Sequence, residues 1–241
     1  SKRHGATSVC EFKKDGYLPE AIVNFMALMG WNPGYDNELF SMGELIKEFD
    51  LAKVQKSGAV FNIEKLDWMN GEYIRKKSPA ELTALAMTYL GDFLQFQIPN
   101  DKFPMEYMER VMALEQPRLK KLSEIGERVE YFFREPNYDG RLLRWKNMTS
   151  GDIRDSLSLS KTILENITAE NFIKEKLQEK FLEEIRGGDK GELLWPLRVA
   201  LSGKKASPGP FEIMEVLGKD ESISRINKAL EIAAKKHTPS T

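Results

Sequence analysis

The sequence predicts a mostly α-helical fold, on three observations. Apolar residues recur at helical spacing through most of the chain, several of these runs open on helix-capping chemistry, and β-like runs are confined to Ser8–Phe12 and Ala59-Val60-Phe61. Taken in order, the stretch from Leu18 to Met29 is apolar-rich, with Pro19 near its start and Gly30 at its end, and predicts a helix. Ser41-Met42-Gly43-Glu44 is a capping box ahead of Leu45, Ile46 and Phe49. In such a box the hydroxyl and the carboxylate satisfy N–H groups that the first turn leaves open. Spacing predicts the next helix over 62–70. Ser78-Pro79-Ala80-Glu81 combines the same box with proline at the first helical position, and Leu82, Leu85, Ala86, Tyr89 and Leu90 then share one face before Gly91. Further helices are expected over 105–115, 125–133, 152–167, 169–186, 210–217 and 222–236. For the helix at 169–186, Thr168 is the expected cap and Gly187-Gly188 the stop, with Phe172, Leu177, Phe181 and Ile185 along its core stripe. Turn residues cluster at 76–79 and 135–140, dividing the chain into segments 1–77, 78–137 and 138–241.

Composition narrows the function classes. A 241-residue chain with 41% hydrophobic and 30% charged residues can bury a substantial core and belongs among globular proteins. One cysteine, Cys10, excludes an internal disulfide, and two distant histidines, His4 and His237, give no zinc-binding spacing. The compartment is expected to be reducing. No apolar run approaches the roughly 18 residues that span a bilayer. The net charge of −1 argues against phosphate binding by bulk charge, yet the distribution is uneven. Arg118, Lys120, Lys121, Arg128, Arg134, Arg141 and Arg144 fall between Leu114 and Trp145, and Arg198, Lys204 and Lys205 lie in an acid-free stretch. These clusters are either solvated helix faces or local phosphate-binding patches.

Several motifs carry a more specific signal. The chain opens on Ser1-Lys2-Arg3-His4-Gly5-Ala6-Thr7-Ser8-Val9 and continues through Gly16-Tyr17-Leu18-Pro19-Glu20-Ala21 and Gly30-Trp31. Asp67-Trp68-Met69-Asn70-Gly71-Glu72-Tyr73-Ile74-Arg75 follows, then Gln116-Pro117-Arg118, Pro196-Leu197-Arg198-Val199-Ala200-Leu201-Ser202-Gly203 and Ser207-Pro208-Gly209-Pro210-Phe211-Glu212. In this order they resemble bacterial and organellar glutamyl-tRNA synthetase from its Lys-x-Ser-Lys-Arg loop onward. The first Lys and the x would precede Ser1, so a C-terminal fragment is expected.

The resemblance implies a stem-contact segment (1–77), a helical-bundle anticodon-binding domain (78–137) and a helical-cage anticodon-binding domain (138–241). It implies glutamate tRNA as the partner, no membrane, a monomer, and a cytoplasmic or organellar location. It also implies that the intact enzyme esterifies glutamate onto tRNA using ATP and Mg²⁺, with Lys2 of the loop neutralising charge that develops on the departing pyrophosphate. No Gly-rich strand-to-helix turn and no His-x-Gly-His motif occur, so the fragment alone is expected to be inactive and to bind neither cofactor. Arg118, Arg198, Ser207 and Pro210 match the family's anticodon-contacting positions. A guanidinium suits that task because it is a planar fork of donors that also stacks, although Arg118 could equally meet a phosphate or solvent. Pro210 stands where an apolar residue often sits and brings no backbone N–H. Trp68 and Tyr73 serve either packing or base stacking. Two other readings remain open: an enzyme that also charges glutamine tRNA, and a free-standing helical interaction protein.

Overall fold

The structure, a computed structural model, describes residues 8–55, 60–94, 103–185 and 188–234, with the backbone alone for 92–94. Among these residues there are twelve α-helices and no strand; the one β-like pairing is an isolated bridge between Trp31 and Val54. The chain forms two compact units, Ser1–Glu127 and Arg128–Thr241.

The first unit holds α1 (Val9–Lys14), α2 (Pro19–Leu28), α3 (Met42–Glu48), α4 (Ile63–Arg75), α5 (Pro79–Leu94) and α6 (Met105–Glu115). The expected capping boxes are present at Ser41 and Ser78: Glu44 N donates to Ser41 Oγ at 3.2 Å, and Glu81 N to Ser78 Oγ at 3.3 Å. A third box overturns an expectation. Ser8–Phe12 is not β-like, because Ser8 and Glu11 cap each other and start α1. Of the second β-like run, Ala59 lies outside the described residues, and Val60 and Phe61 are in no strand.

Tyr17, Phe25, Leu66 and Met69 form the core between α2 and α4, and Trp31, Phe40 and Leu45 form a neighbouring cluster. Helix α4 runs to Arg75, beyond the expected end at residue 70. Gly71 does not stop it: a Cβ there would stand 3.0 Å from the Leu119 carbonyl oxygen, so the glycine serves close packing. The Asp67–Arg75 motif is largely architectural. Tyr73 is buried and its hydroxyl, with a single proton to share, lies within hydrogen-bond reach of Asn24 Oδ1 (2.6 Å) and the Phe40 carbonyl, while Trp68 stays partly exposed. Asn70, wholly buried, accepts from Leu18 N (2.7 Å) and donates to the carbonyls of Gly16 (3.2 Å) and Lys120 (2.6 Å). This staple needs Gly16, which sits at φ +84°; a Cβ would come within 2.5 Å of the Leu122 and Ser123 nitrogens.

The second unit is built from the end of α7 (Ile125–Phe133) and from α8 (Ser150–Asn166), α9 (Lys174–Glu184), α10 (Lys190–Ser202), α11 (Pro210–Leu217) and α12 (Lys219–Ala234). Helices α10 and α12 pack on α8 and bury Leu157, Leu164, Leu197, Leu201, Ile226 and Ala229. Two cations close helix C-termini, where carbonyls lack partners and the dipole is negative. Lys219 Nζ donates to the carbonyls of Glu165 (3.0 Å) and Ile167 (2.6 Å), and buried Arg225 donates to Leu201 O at 2.6 Å.

Helices α6, α7 and α11 have the expected bounds. The helix expected over 169–186 is instead a 3-10 turn at Ala169–Asn171 followed by α9. Thr168 does not cap α9, since its hydroxyl accepts from Asn171 Nδ2 (3.0 Å); the first N–H of α9 donates to Glu215 of α11 at 3.1 Å. Gly187 lies outside the described residues. Helix α10 was not among the expected helices, because Pro196 falls inside it. Proline removes the bond to the carbonyl four residues earlier, and Ser156 Oγ donates to that orphan, the Glu192 carbonyl, at 2.8 Å.

Candidate nucleic-acid interface

Helix α10 and the turn after it place most of the candidate residues. Asp189 caps the helix by accepting from Gly191 N at 2.9 Å. The helix ends where Gly203 turns left-handed at φ +68° and donates to Val199 O at 2.7 Å. The chain then returns to Gly209 and Pro210, with Pro210 opening α11 as its first residue. Arg198, one turn beyond Trp195, lays its guanidinium 4.7 Å from the Trp195 ring centroid and donates to Lys205 O at 3.0 Å. It thereby ties α10 to the returning loop.

Two indoles adjoin this arginine. Trp195 Nε1 donates to Leu142 O at 2.8 Å, and the Trp145 and Trp195 rings lie 5.1 Å apart. Trp145 Nε1 donates to Asp189 at 3.1 Å, and Lys146 Nζ reaches the same carboxylate at 2.7 Å while lying 5.3 Å from the Trp145 ring. The bonds from Lys146, Trp145 and the Gly191 N–H hold the Asp189 carboxyl at a pKa of about 2, below its usual range. Together Trp145, Leu194, Trp195, Arg198, Gly209 and Pro210 line an open depression of about 220 Å³. A larger hollow of about 740 Å³ is lined by Asp152, Asp155, Glu184, Asp189 and Glu192, and a third of about 560 Å³ by Glu179, Glu183 and Glu184 beside Lys176 and Lys180. Carboxylates predominate around the larger hollow, which Lys146 and Trp145 also line.

Arg198 and Pro210 are therefore brought together, with Ser207 on the loop that Arg198 anchors; the Ser207 hydroxyl donates to Pro208 O at 3.0 Å. Arg118 belongs to the other compact unit, on a 3-10 turn at Gln116–Arg118. That turn is fastened to the end of α4, where Gln116 Nε2 donates to the carbonyls of Ile74 and Lys77, each at 2.8 Å. The Arg118 guanidinium is 3.5 Å from the buried carboxylate of Glu115, so it also compensates a charge withdrawn from water. Sequence reasoning missed Trp145, Trp195, Gly191 and Glu115. Lys2 lies outside the described residues. Among the described residues no group of three or more His, Cys, Asp or Glu could hold a metal ion, and no helix is long and apolar enough to cross a membrane.

Residues 81–230 match the family described as "Anticodon binding domain", and residues 1–68 match the catalytic-domain family of "tRNA synthetases class I (E and Q)". Glutamate–tRNA ligase 2 of Thermoanaerobacter pseudethanolicus is 37% identical over 239 residues, covering 98% of this chain and 48% of the relative. The chain belongs to the family described as "Anticodon binding domain", whose match takes in more than half of it. The glutamate–tRNA ligase of Clostridium acetobutylicum is 39% identical over 236 residues, covering 96% of the chain and 47% of that protein. A crystal structure of a glutamate tRNA ligase from Elizabethkingia meningosepticum, in complex with its amino acid, superposes with a TM-score of 0.75 at 30% identity over 94% of this chain and 45% of that one. The chain spans about half the length of the curated glutamate–tRNA ligases it matches. Arg118, Arg198, Ser207 and Pro210 all fall inside the anticodon-binding match, and Lys2 inside the catalytic-domain match.

Proposed function

We propose that this chain is the tRNA-recognising part of a glutamate–tRNA ligase and that it reads anticodon bases through Arg198, Ser207, Pro210 and Arg118. The observation that carries the reading is the depression at the α10–α11 turn, where an arginine, an indole and a proline ring converge inside the span of the anticodon-binding match. Unpaired anticodon bases splay out, so they can be stacked on flat side chains and read along their edges by hydrogen bonds. Such recognition needs few cations, in keeping with a net charge of −1. Segment 1–77 acts as the stem-contact part, and 78–137 and 138–241 as the two anticodon-binding parts.

The whole enzyme attaches glutamate to its tRNA with ATP and Mg²⁺, and Lys2 would serve the ATP phosphates there. This chain by itself binds RNA as a cytoplasmic monomer and does not activate glutamate. The test is fluorescence anisotropy with glutamate tRNA and with unrelated tRNAs, alongside glutamate-dependent ATP–pyrophosphate exchange. Selective binding of glutamate tRNA without exchange is expected; equal binding of every tRNA, or exchange above a buffer control, overturns the reading.

A further inference from the structure

We infer that the groove between α8 and α9 is a docking site for a basic amphipathic helix of a partner protein. The inference stands apart from the RNA-binding reading and uses none of the residues assigned to the anticodon.

Helix α8 has two faces. Leu157 and Leu164 are buried where α10 and α12 pack on it. Asp152, Asp155, Leu159, Thr162 and Asn166 recur every three or four residues along the other face, and that face lines the hollows of about 740 and 560 Å³. Leu159 and Glu184 line both hollows, so the two form one continuous groove. Its opposite wall is α9, from Lys176 to Glu184, and then the start of α10. At 1.5 Å of rise per residue the face from Asp152 to Asn166 is about 21 Å long, the length of a partner helix of about four turns.

The lining chooses the occupant. Leu159 is 38% exposed and, with Ile173, is one of two large apolar side chains left exposed among the described residues of the second unit. Met148, Ile163 and Leu193 continue the apolar floor on either side of it. The lysines on the rim are already engaged: Lys146 with Asp189 at 2.7 Å, Lys176 with Glu179 at 2.7 Å and Lys180 with Glu183 at 2.8 Å. Asp155, Glu184 and Glu192, one from each of the three helices, form no ion pair among the described residues. An apolar strip flanked by uncompensated carboxylates matches a helix with an apolar stripe between rows of lysine or arginine, the helix-in-groove mode of recognition. The same carboxylates disfavour a polyanion.

The test uses the whole chain and a fluorescein-labelled, side-chain-stapled helical peptide of about four turns, with leucines at i, i+4, i+7 and i+11 and lysines on both flanks. One control peptide has the same residues in shuffled order, and a second carries glutamate in place of every lysine. By anisotropy the basic amphipathic peptide should bind about tenfold more tightly than either control, and Leu159→Asp should remove that advantage. The double variant Asp155→Lys/Glu184→Lys should reverse the charge preference and favour the glutamate peptide, a gain that misfolding cannot produce. On the unsubstituted chain a nitroxide-labelled peptide should broaden the amide signals of residues 152–166 and 176–184. The same variants should leave affinity for glutamate tRNA unchanged. A peptide that binds no better than its shuffled control, broadening elsewhere on the chain, or a double variant without the reversed preference overturns the inference. Loss of tRNA affinity in these variants overturns it as well, by giving the groove to RNA.

Discussion

Asn70→Ala should be among the most damaging single substitutions in the first compact unit, although it removes no apolar contact of note. The side chain is wholly buried and makes three bonds: from Leu18 N at 2.7 Å, to Gly16 O at 3.2 Å and to Lys120 O at 2.6 Å. The losses are unequal. Gly16 O also accepts from Leu122 N at 3.1 Å, and the bond to Lys120 O is only part-buried. The Leu18 N–H, beside a side chain that is only 3% exposed, is the group left without a partner. A buried polar group so orphaned costs about 1–3 kcal/mol, and the lost donations to the two carbonyls bring the total to about 2–4 kcal/mol. Urea unfolding followed by tryptophan fluorescence measures it; with slopes of about 1–3 kcal/mol per M, the midpoint should fall by about 1 M or more. Asn70→Asp should not rescue, because it keeps the acceptor for Leu18 but places a carboxylate against two carbonyl oxygens. A midpoint shift below about 0.3 M, or rescue by aspartate, refutes the reasoning.

Three further outcomes are expected. Ser78→Ala removes the cap that receives the Glu81 N–H at 3.3 Å and should cost about 1 kcal/mol in thermal unfolding; an unchanged midpoint would show that the cap is dispensable. The Asp189 pKa is lowered to about 2 in the folded chain against about 3.9 in an unfolded one, so its stabilising contribution is complete above the unfolded value and is lost as pH falls from about 4 through 2. Asp189→Asn should therefore melt below the parent at neutral pH, and the two melting curves should converge toward pH 2; a constant gap contradicts the assignment. Affinity for tRNA should weaken with salt at a log–log slope of only a few, about 0.7–0.9 per phosphate contact, and affinity that ignores salt rules those contacts out.

Most of the fold is legible from local chemistry. The serine–glutamate boxes at 41–44 and 78–81, and the proline opening at 210, announce their helices because capping involves residues three apart. The Ser8–Glu11 box that starts α1 is equally local, though its residues misleadingly read as β-like, whereas the other departures depend on partners far along the chain. Helix α10 hides behind Pro196 because the compensating donor, Ser156, lies on α8. The start of α9 is capped by Glu215, and Gly71 answers to the Leu119 carbonyl; neither pairing leaves a periodic trace. The candidate site shows the same division. Arg198, Ser207 and Pro210 stand in recognisable motifs, but Trp145 reads as an isolated aromatic until Gly191 is seen beneath its ring. Arg118 is legible as a basic residue and not as the neighbour of a buried glutamate.

The central claim is that Arg198 reads a base, and binding of Arg198→Ala to glutamate tRNA and to a set of anticodon-substituted versions tests it most directly. A base-reading guanidinium carries sequence information, so the variant should lose about 1–3 kcal/mol on the cognate tRNA and lose discrimination at one anticodon position only, with the salt slope unchanged. A uniform loss across all the tRNAs with a salt slope reduced by about 1 would mark a phosphate contact, and together with no loss at all is the result that contradicts the account.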